Sequence, residues 1–332
     1  MLLLHFNFDR LSMQVHRDLL SFSAHSPVIT IGIFDGVHAG HGFIINRLKN
    51  AASENNGSSV ILTLWPHPRL VLDRQPGDIK LLNSLDEKII LLKESGIDHL
   101  VILEFTEQLS QLSSCDFVKQ VLVDQLGISH LIVGFNHRFG KDREGDISKL
   151  EECASRYSFT IEHLPPFNDG EQQLSSSLIR DLLSAGKIAR ANELLDYEYF
   201  IRGVVTTGSK LGRTLGFPTA NILIGDQNKL IPRDGVYAVH VSFRGKLLKG
   251  MMNIGIRPTV SSRKDSKTLE VNIFDFNEDI YQEEISISFL SRMRDEMKFE
   301  NTGSLKEQLI RDRETALELF RKYNSRQPNT LK

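Results

Sequence analysis

Short, almost unbroken apolar runs alternate with helix-period segments through the first 185 residues. The runs are Val28–Phe34, Val60–Leu64, Leu100–Phe105 and Leu131–Phe135. Runs of this length, apolar at odd and even positions alike, predict strands buried on both faces. Between them, Phe43, Ile44, Leu48 and Ala51 recur at helical spacing. Ile89, Ile90 and Leu92 form a second such face, stopped by Gly96, and Phe117, Val118, Val121 and Leu122 a third, stopped by Gly127. Strand–helix alternation predicts an α/β domain with a doubly wound parallel sheet, helices on both faces and ligands at the carboxyl ends of the strands.

The pattern changes near residue 186. Ile188–Leu195 reads as a short connecting helix within residues 186–198. From Tyr199 onward the chain is rich in strands, at Ile201–Thr207, Val236–Phe243, Leu269–Phe276 and Ile285–Leu290, separated by Gly and Asp turns. Closely spaced strands of this kind predict an antiparallel β-barrel. Leu305, Leu309, Ala316, Leu317 and Phe320 then mark a closing amphipathic helix. The expected organisation is therefore one domain over 1–185, a connecting helix, and a second domain over 199–332.

Composition agrees with two soluble domains: 332 residues, 40% hydrophobic and 25% charged. A net charge of -2 argues against a protein held to nucleic acid or an anionic membrane by bulk charge. The opening Met1–Leu4 is too short for a signal-peptide core, and no run of about 18 apolar residues occurs, so a cytoplasmic protein is expected. Cys115 and Cys153, far apart in sequence, make neither a disulfide framework nor a zinc cluster and read as small apolar residues of a reducing compartment.

The first chemical constellation is Gly32-Ile33-Phe34-Asp35-Gly36-Val37-His38-Ala39-Gly40-His41, directly between a buried strand and a helix. A helix N-terminus there offers free N–H groups and the positive end of a dipole to phosphate, and glycines let the backbone approach a ligand. His38 and His41, three apart, can face one anion and stabilise charge developing on a leaving pyrophosphate. The spacing is not Gly-x-Gly-x-x-Gly, and no third metal ligand accompanies the histidines. The plainer alternative is that the histidines only cap the helix.

This block resembles the HxGH nucleotidyltransferase superfamily. Thr63–Pro68, Val133–Gly140 and Ser175–Arg180 follow in the order found in the adenylyltransferase module of bacterial FAD synthetases, with Ser177 where that family usually has threonine. The resemblance implies catalytic roles for His38, His41 and Arg180, and nucleotide contacts at Gly32, Phe34, Asp35, Asn136, Ser176 and Ser177. Arg180 follows a serine-rich cap, where its planar fork can grip phosphate. His67, in the rigid Pro-His-Pro loop, can line the flavin or nucleotide pocket or serve the loop alone.

The second constellation is Gly208–Asn221, with three glycines and two cations in a loop suited to cover phosphates. No Gly-x-x-x-x-Gly-Lys-Ser/Thr occurs, so any kinase here is not of the P-loop kind. Thr219 and Asn221, two apart, can offer two oxygens to one Mg²⁺ from an extended chain, or merely cap a turn. The stretch from about Tyr199 to Phe320 resembles the riboflavin kinase domain, through Gly208–Asn221, Gly235–Ala238, Asn253–Thr259, Leu269–Phe276 and Met293–Phe299. The resemblance implies nucleotide contacts at Gly208, Lys210 and Gly212, metal ligation by Thr219 and Asn221, Glu270 as catalytic base, and Arg294 near the flavin. Glu270 alone reads equally as an outward strand residue. Two positions depart from the family: Asn272 replaces a common histidine, and Gln282 a common glycine.

Together the resemblances imply a bifunctional enzyme that phosphorylates riboflavin to FMN with ATP and Mg²⁺, then adenylylates FMN with a second ATP to give FAD and pyrophosphate. The alternatives are a riboflavin kinase with a degenerate first domain, and a flavin or nucleotide sensor without turnover.

Overall fold

The computed structural model describes residues 13–72, 79–135, 147–167, 174–208, 211–256 and 267–326. Two compact units result, one over Phe8–Ser176 and one built chiefly from Ser177 onward.

The first unit runs β1 (Gln14–His16), β2 (Val28–Gly32), α1 (Ala39–Glu54), β3 (Ser59–Trp65), α2 (Pro68–Leu72), α3 (Leu85–Glu94), β4 (His99–Glu104), α4 (Glu107–Ser110), α5 (Ser114–Phe117), β5 (His130–Val133), α6 (Ile147–Tyr157) and β6 (Thr160–His163). Its six strands are all parallel, in the order β1-β4-β3-β2-β5-β6. Alternate residues of the central strands feed two cores. Ile29, Ile31, Val60 and Leu62 meet Phe117, Val121 and Leu150 on one face; Val28, Ile61 and Leu100 meet Ile45, Leu48 and Leu92 on the other. This is why those runs are apolar at every position.

The expected third helix is only partly α-helical. Past α5 the chain widens, with Asp124 N–H donating to Lys119 C=O at 2.9 Å and Leu126 N–H to Val121 C=O at 3.0 Å, each five residues back. Cys115 on α5 and Cys153 on α6 are thiols whose sulfurs lie 3.0 Å apart, a proximity their sequence separation hides. Burial, with the hydrogen bond to Cys115, pushes the Cys153 thiol up to about 12, which keeps it protonated at neutral pH.

The second unit contains α7 (Ser176–Ser184), α8 (Ile188–Leu195), β7 (Phe200–Thr206), α9 (Leu211–Thr214), β8 (Ala220–Leu223), β9 (Gly235–Phe243), β10 (Lys246–Ile256), β11 (Lys267–Ile273), β12 (Glu284–Arg294) and α10 (Thr302–Arg326). The strands close an antiparallel barrel in the order β10-β11-β8-β7-β12-β9. Helix α10 seals it with Ala316 and Phe320 packed on Ala238, Met251, Phe274 and Leu290. Among the described residues no helix is long and apolar enough to cross a membrane.

The pattern of the sequence puts the boundary after residue 185, whereas the compact units divide after Ser176. The helices that follow are tied to the barrel. Arg233 N–H donates to Leu183 C=O at 3.1 Å, Asn192 Nδ2 donates to Phe289 C=O at 2.8 Å, and Tyr199 N–H donates to Asn192 Oδ1 at 2.9 Å.

Candidate active site

Strand β2 is where the strand order reverses: β3 and β4 lie to one side of it, β5 and β6 to the other. A crevice at the carboxyl end of such a strand is the usual ligand site of a doubly wound sheet. The turn Gly32–His38 crosses it. Phe34 and Val37 hold left-handed φ angles of 51° and 38°. The Phe34 ring folds back over Gly32, where an added Cβ would meet it at 2.8 Å.

His38, only 6% exposed, is the N-cap of α1, and its Nδ1 accepts the His41 N–H at 3.4 Å. With Nδ1 accepting, a neutral His38 ring carries its proton on Nε2. The His41 ring stacks on His38 with centroids 3.8 Å apart and planes 16° apart, and packs 4.9 Å from Phe34. Burial, then the charges of His38 and Lys88, hold His41 well below the usual imidazole range, so it is neutral at pH 7. Its Nδ1 is buried with no hydrogen-bond partner among the described residues.

A cavity of about 330 Å³ opens over this turn, lined by Gly32, Phe34, His38, His41 and Ser176. Its apolar wall comes from Phe43, Ile44, Phe135 and Phe167, with Phe43 and Phe167 5.8 Å apart. That wall was not singled out in the sequence, because Phe43 and Ile44 there read as a helix face and Phe135 as a strand end.

Other expected residues have different placements. Asp35 is not among the residues lining the cavity; its carboxylate accepts Leu82 N–H at 2.9 Å and Asn83 N–H at 3.3 Å, while its carbonyl accepts Ser176 Oγ at 2.8 Å. It braces the turn. His67 Nδ1 accepts Arg69 N–H at 3.1 Å at the start of α2, and His67 is not among the residues lining the cavity. Ser177 and Arg180 belong to the second unit, with Arg180 Nη1 3.5 Å from Ser177 Oγ on α7. Asn136 and Lys210 lie outside the described residues, as does the family stretch Arg257–Thr259. A residue with no signal in the sequence is Lys88, 1% exposed, whose Nζ donates to Ile33 C=O at 2.7 Å.

In the barrel, two cavities flank the strand that carries Asn221. One, of about 290 Å³, is lined by Thr219, Glu270, Asn272 and Arg294 at its polar side and by Phe217, Met251, Met297, Leu305 and Leu309 elsewhere. The other, of about 550 Å³, is lined by Val205, Arg213, Pro218, Thr219, Asn277, Asp279 and Tyr281. Thr219 lines both. Glu270 on β11 pairs directly with Asn221 on β8 and with Asn253 on β10, so these side chains share one face of the barrel wall. Glu270 is half-buried and lines the smaller cavity, on the face of the sheet that carries Met251 and meets α10.

Two glycines make this packing feasible. At Gly208 any Cβ would overlap the Asn221 side-chain amide; at Gly212 it would overlap Phe217 C=O and press on Thr219 Oγ1 at 3.3 Å. Asn272 donates from Nδ2 to Pro218 C=O at 2.7 Å and so fixes the turn that presents Thr219. Gln282 holds φ of 65°, a left-handed conformation that favours glycine, while its N–H donates to Val205 C=O at 2.9 Å. Arg294 lines the smaller cavity but commits its fork to Asp312 on α10, Nε to Oδ1 at 2.9 Å and Nη2 to Oδ2 at 2.7 Å. It therefore ties the closing helix to the cavity as well as facing it.

Among known proteins, the FAD synthetase family model matches residues 21–178 and the riboflavin kinase model residues 195–320. The bifunctional riboflavin kinase/FMN adenylyltransferase of Bacillus subtilis is 35% identical over 295 residues, 88% of this chain and 92% of that protein. Its namesake in Escherichia coli K12 is 36% identical over 296 residues, again 88% and 92%. A crystal structure titled as a macrolide-efflux protein from Streptococcus pneumoniae superposes with a TM-score of 0.83 at 28% identity, covering 92% of this chain and 99% of that one. The match establishes a shared fold.

Proposed function

Since the chain belongs to the family of bifunctional riboflavin kinase/FMN adenylyltransferases, we propose that its cavities divide the two reactions between them. It carries both a FAD synthetase and a riboflavin kinase domain, and ATP is the co-substrate of each. The barrel phosphorylates riboflavin; the parallel-sheet unit joins FMN to AMP from a second ATP. We assign both steps to the cytoplasm, because both consume ATP.

The observation that carries the kinase reading is Thr219, shared by two cavities, with Glu270 lining the first of them. The smaller cavity, with its methionines and phenylalanines, suits the flavin ring; the larger one, with Arg213 and Asn277 among apolar residues, is assigned to the nucleotide. Riboflavin's 5′-hydroxyl then reaches Glu270, which accepts its proton as the oxygen attacks the γ-phosphorus of ATP, the bond from that phosphorus to the β–γ bridging oxygen breaks and ADP departs. Thr219 and Asn221 are hard oxygen donors backed by two glycines, a set that fits Mg²⁺, which takes few protein ligands and completes its shell with phosphates and water. Bound there, Mg²⁺ would neutralise charge on the ATP phosphates. Asn221→Ala should weaken the kinase and raise its Mg²⁺ requirement, with partial recovery at high Mg²⁺ and unchanged adenylylation of supplied FMN. A kinase rate and Mg²⁺ dependence equal to the parent's would leave Asn221 as a turn cap.

At the parallel-sheet site no protein nucleophile is needed. FMN phosphate attacks the α-phosphorus of ATP and pyrophosphate departs. His38 and His41 donate hydrogen bonds to the charge that builds there, and the family resemblance assigns Arg180 a role in phosphate binding. The direct test is to incubate the pure protein with riboflavin, ATP and Mg²⁺ and separate the flavins. FMN and FAD should both form. FMN alone would mean a degenerate first unit, and no product a sensor.

A further inference from the structure

We propose that Lys88 is a positioning residue of the adenylyl-transfer site, a buried ammonium that pins the Gly32–His38 turn and lends positive potential to the anion-binding face above it. The inference rests on the functional reading of that turn. Lys88 does not line the cavity, so it acts through the turn and not by touching substrate.

A buried amine is costly to desolvate, and methionine would fill the same space without that cost. Lys88 is nevertheless 1% exposed in the first turn of α3, immediately after the capping box of Ser84 and Glu87. Its Nζ donates to Ile33 C=O at 2.7 Å, and the same carbonyl accepts Thr63 Oγ1 at 3.2 Å. The segment leading into α3 also grips the turn with opposite polarity, through the Leu82 and Asn83 N–H groups on the Asp35 carboxylate. These grips flank Phe34 and close on a turn with two non-glycine residues in left-handed conformations, which persist only when their surroundings hold them. Phe34 in turn seats His41, so a shift at Ile33 is a shift at the catalytic pair.

The charge matters as well as the shape. The titratable groups facing Lys88 are Asp35 on the turn and His41 in the first turn of α1, with His38 stacked on His41, while Glu87 beside it on α3 has its carboxylate on Ser84 N–H. Burial lowers the Lys88 ammonium to about 8, with Asp35 opposing the shift. It is therefore charged below about pH 8 and neutral above. Its field also keeps the proton off the His41 ring, which leaves that ring neutral.

Trp65, the chain's single tryptophan, reports on this group, because Lys88 Nζ lies 5.1 Å from its ring centroid. The test has two arms. In the first, Trp65 fluorescence of the parent is titrated with pH, alone and with inorganic pyrophosphate. A transition near pH 8 is expected, moved upward by pyrophosphate and absent from K88M and K88R. In the second, FMN adenylylation is measured. K88M should lose about ten- to a hundred-fold in kcat with little change in KM for FMN, at an undiminished Tm. K88R should recover part of kcat and lose the fall in kcat/KM that the parent shows above pH 8.

A transition that ignores pyrophosphate, a K88M enzyme with the parent's kcat, or a loss that simply follows a lowered Tm would each overturn the inference. Should K88M fail to fold, K88R and the fluorescence arm decide it. A parent that binds pyrophosphate but makes no FAD would instead refute the functional reading, since the fluorescence arm does not depend on turnover.

Discussion

Glu270→Gln should lower riboflavin phosphorylation by about a hundred- to ten-thousand-fold, the usual range for loss of a general base. The substitution keeps the shape and hydrogen-bonding reach of the side chain and removes only its ability to take a proton. Glu270 sits mid-strand on β11, paired with Asn221 and Asn253, and its backbone hydrogen bonds do not depend on its side chain. The protein should therefore fold with Tm near the parent's, and riboflavin and ATP should still bind. The loss should fall on kcat, because the proton moves only as the 5′-oxygen attacks. FAD formation from supplied FMN should persist, since that cavity belongs to the other unit. A Glu270→Gln protein that phosphorylates riboflavin near the parent rate would remove Glu270 as base, and its place beside Asn221 would then be structural.

Which parts of this arrangement were legible in the sequence follows from the range of the interactions. The central strands β2, β3, β4 and β5 announced themselves because burial on both faces leaves no polar position. The edge strands β1 and β6 did not: Gln14–His16 is three residues long, and Thr160–His163 has no fully buried position. Strand β8 was concealed within a motif whose Gly and Pro residues read as loop, yet it carries Asn221 into register with Glu270. The departures Asn272 and Gln282 were visible as letters, whereas the bond from Asn272 to Pro218 and the left-handed φ of Gln282 required the fold. Long-range placement was the least legible. Lys88 is 55 residues from the carbonyl it holds, and in sequence it is one cation in the ordinary first turn of an amphipathic helix. Asp35 was drawn toward the nucleotide by its motif, but its carboxylate bonds to the loop before α3. Sequence motifs name residue types near a site; which of them face the ligand and which hold the others is fixed by contacts dozens of residues away.

Replacing His38 and His41 together by alanine should reduce FAD formation by at least about a hundred- to a thousand-fold, the cost of removing donors aimed at developing charge. FMN formation should stay near the parent level. The cap and the chemistry are one arrangement. Because His38 Nδ1 accepts the His41 N–H, its remaining proton is held on Nε2, the nitrogen that does not serve the cap. His41, kept neutral by burial and by the neighbouring charges, can donate to an incoming phosphate without first holding a second proton. As negative charge builds on the departing pyrophosphate, both rings gain affinity for protons at the moment it is useful. Capping alone predicts something else. Losing an N-cap costs about 1 kcal/mol of stability and would leave a slightly less stable protein with activity largely intact. The two accounts part when His38→Asn is compared with the double alanine variant. Asparagine is a good N-cap and should restore Tm, yet it lacks the imidazole Nε2–H and should leave FAD formation far below the parent. Full recovery of FAD formation by His38→Asn would show that the ring serves only the helix, and equal loss of FMN and FAD formation in the folded double variant would show that the two cavities do not divide the reactions.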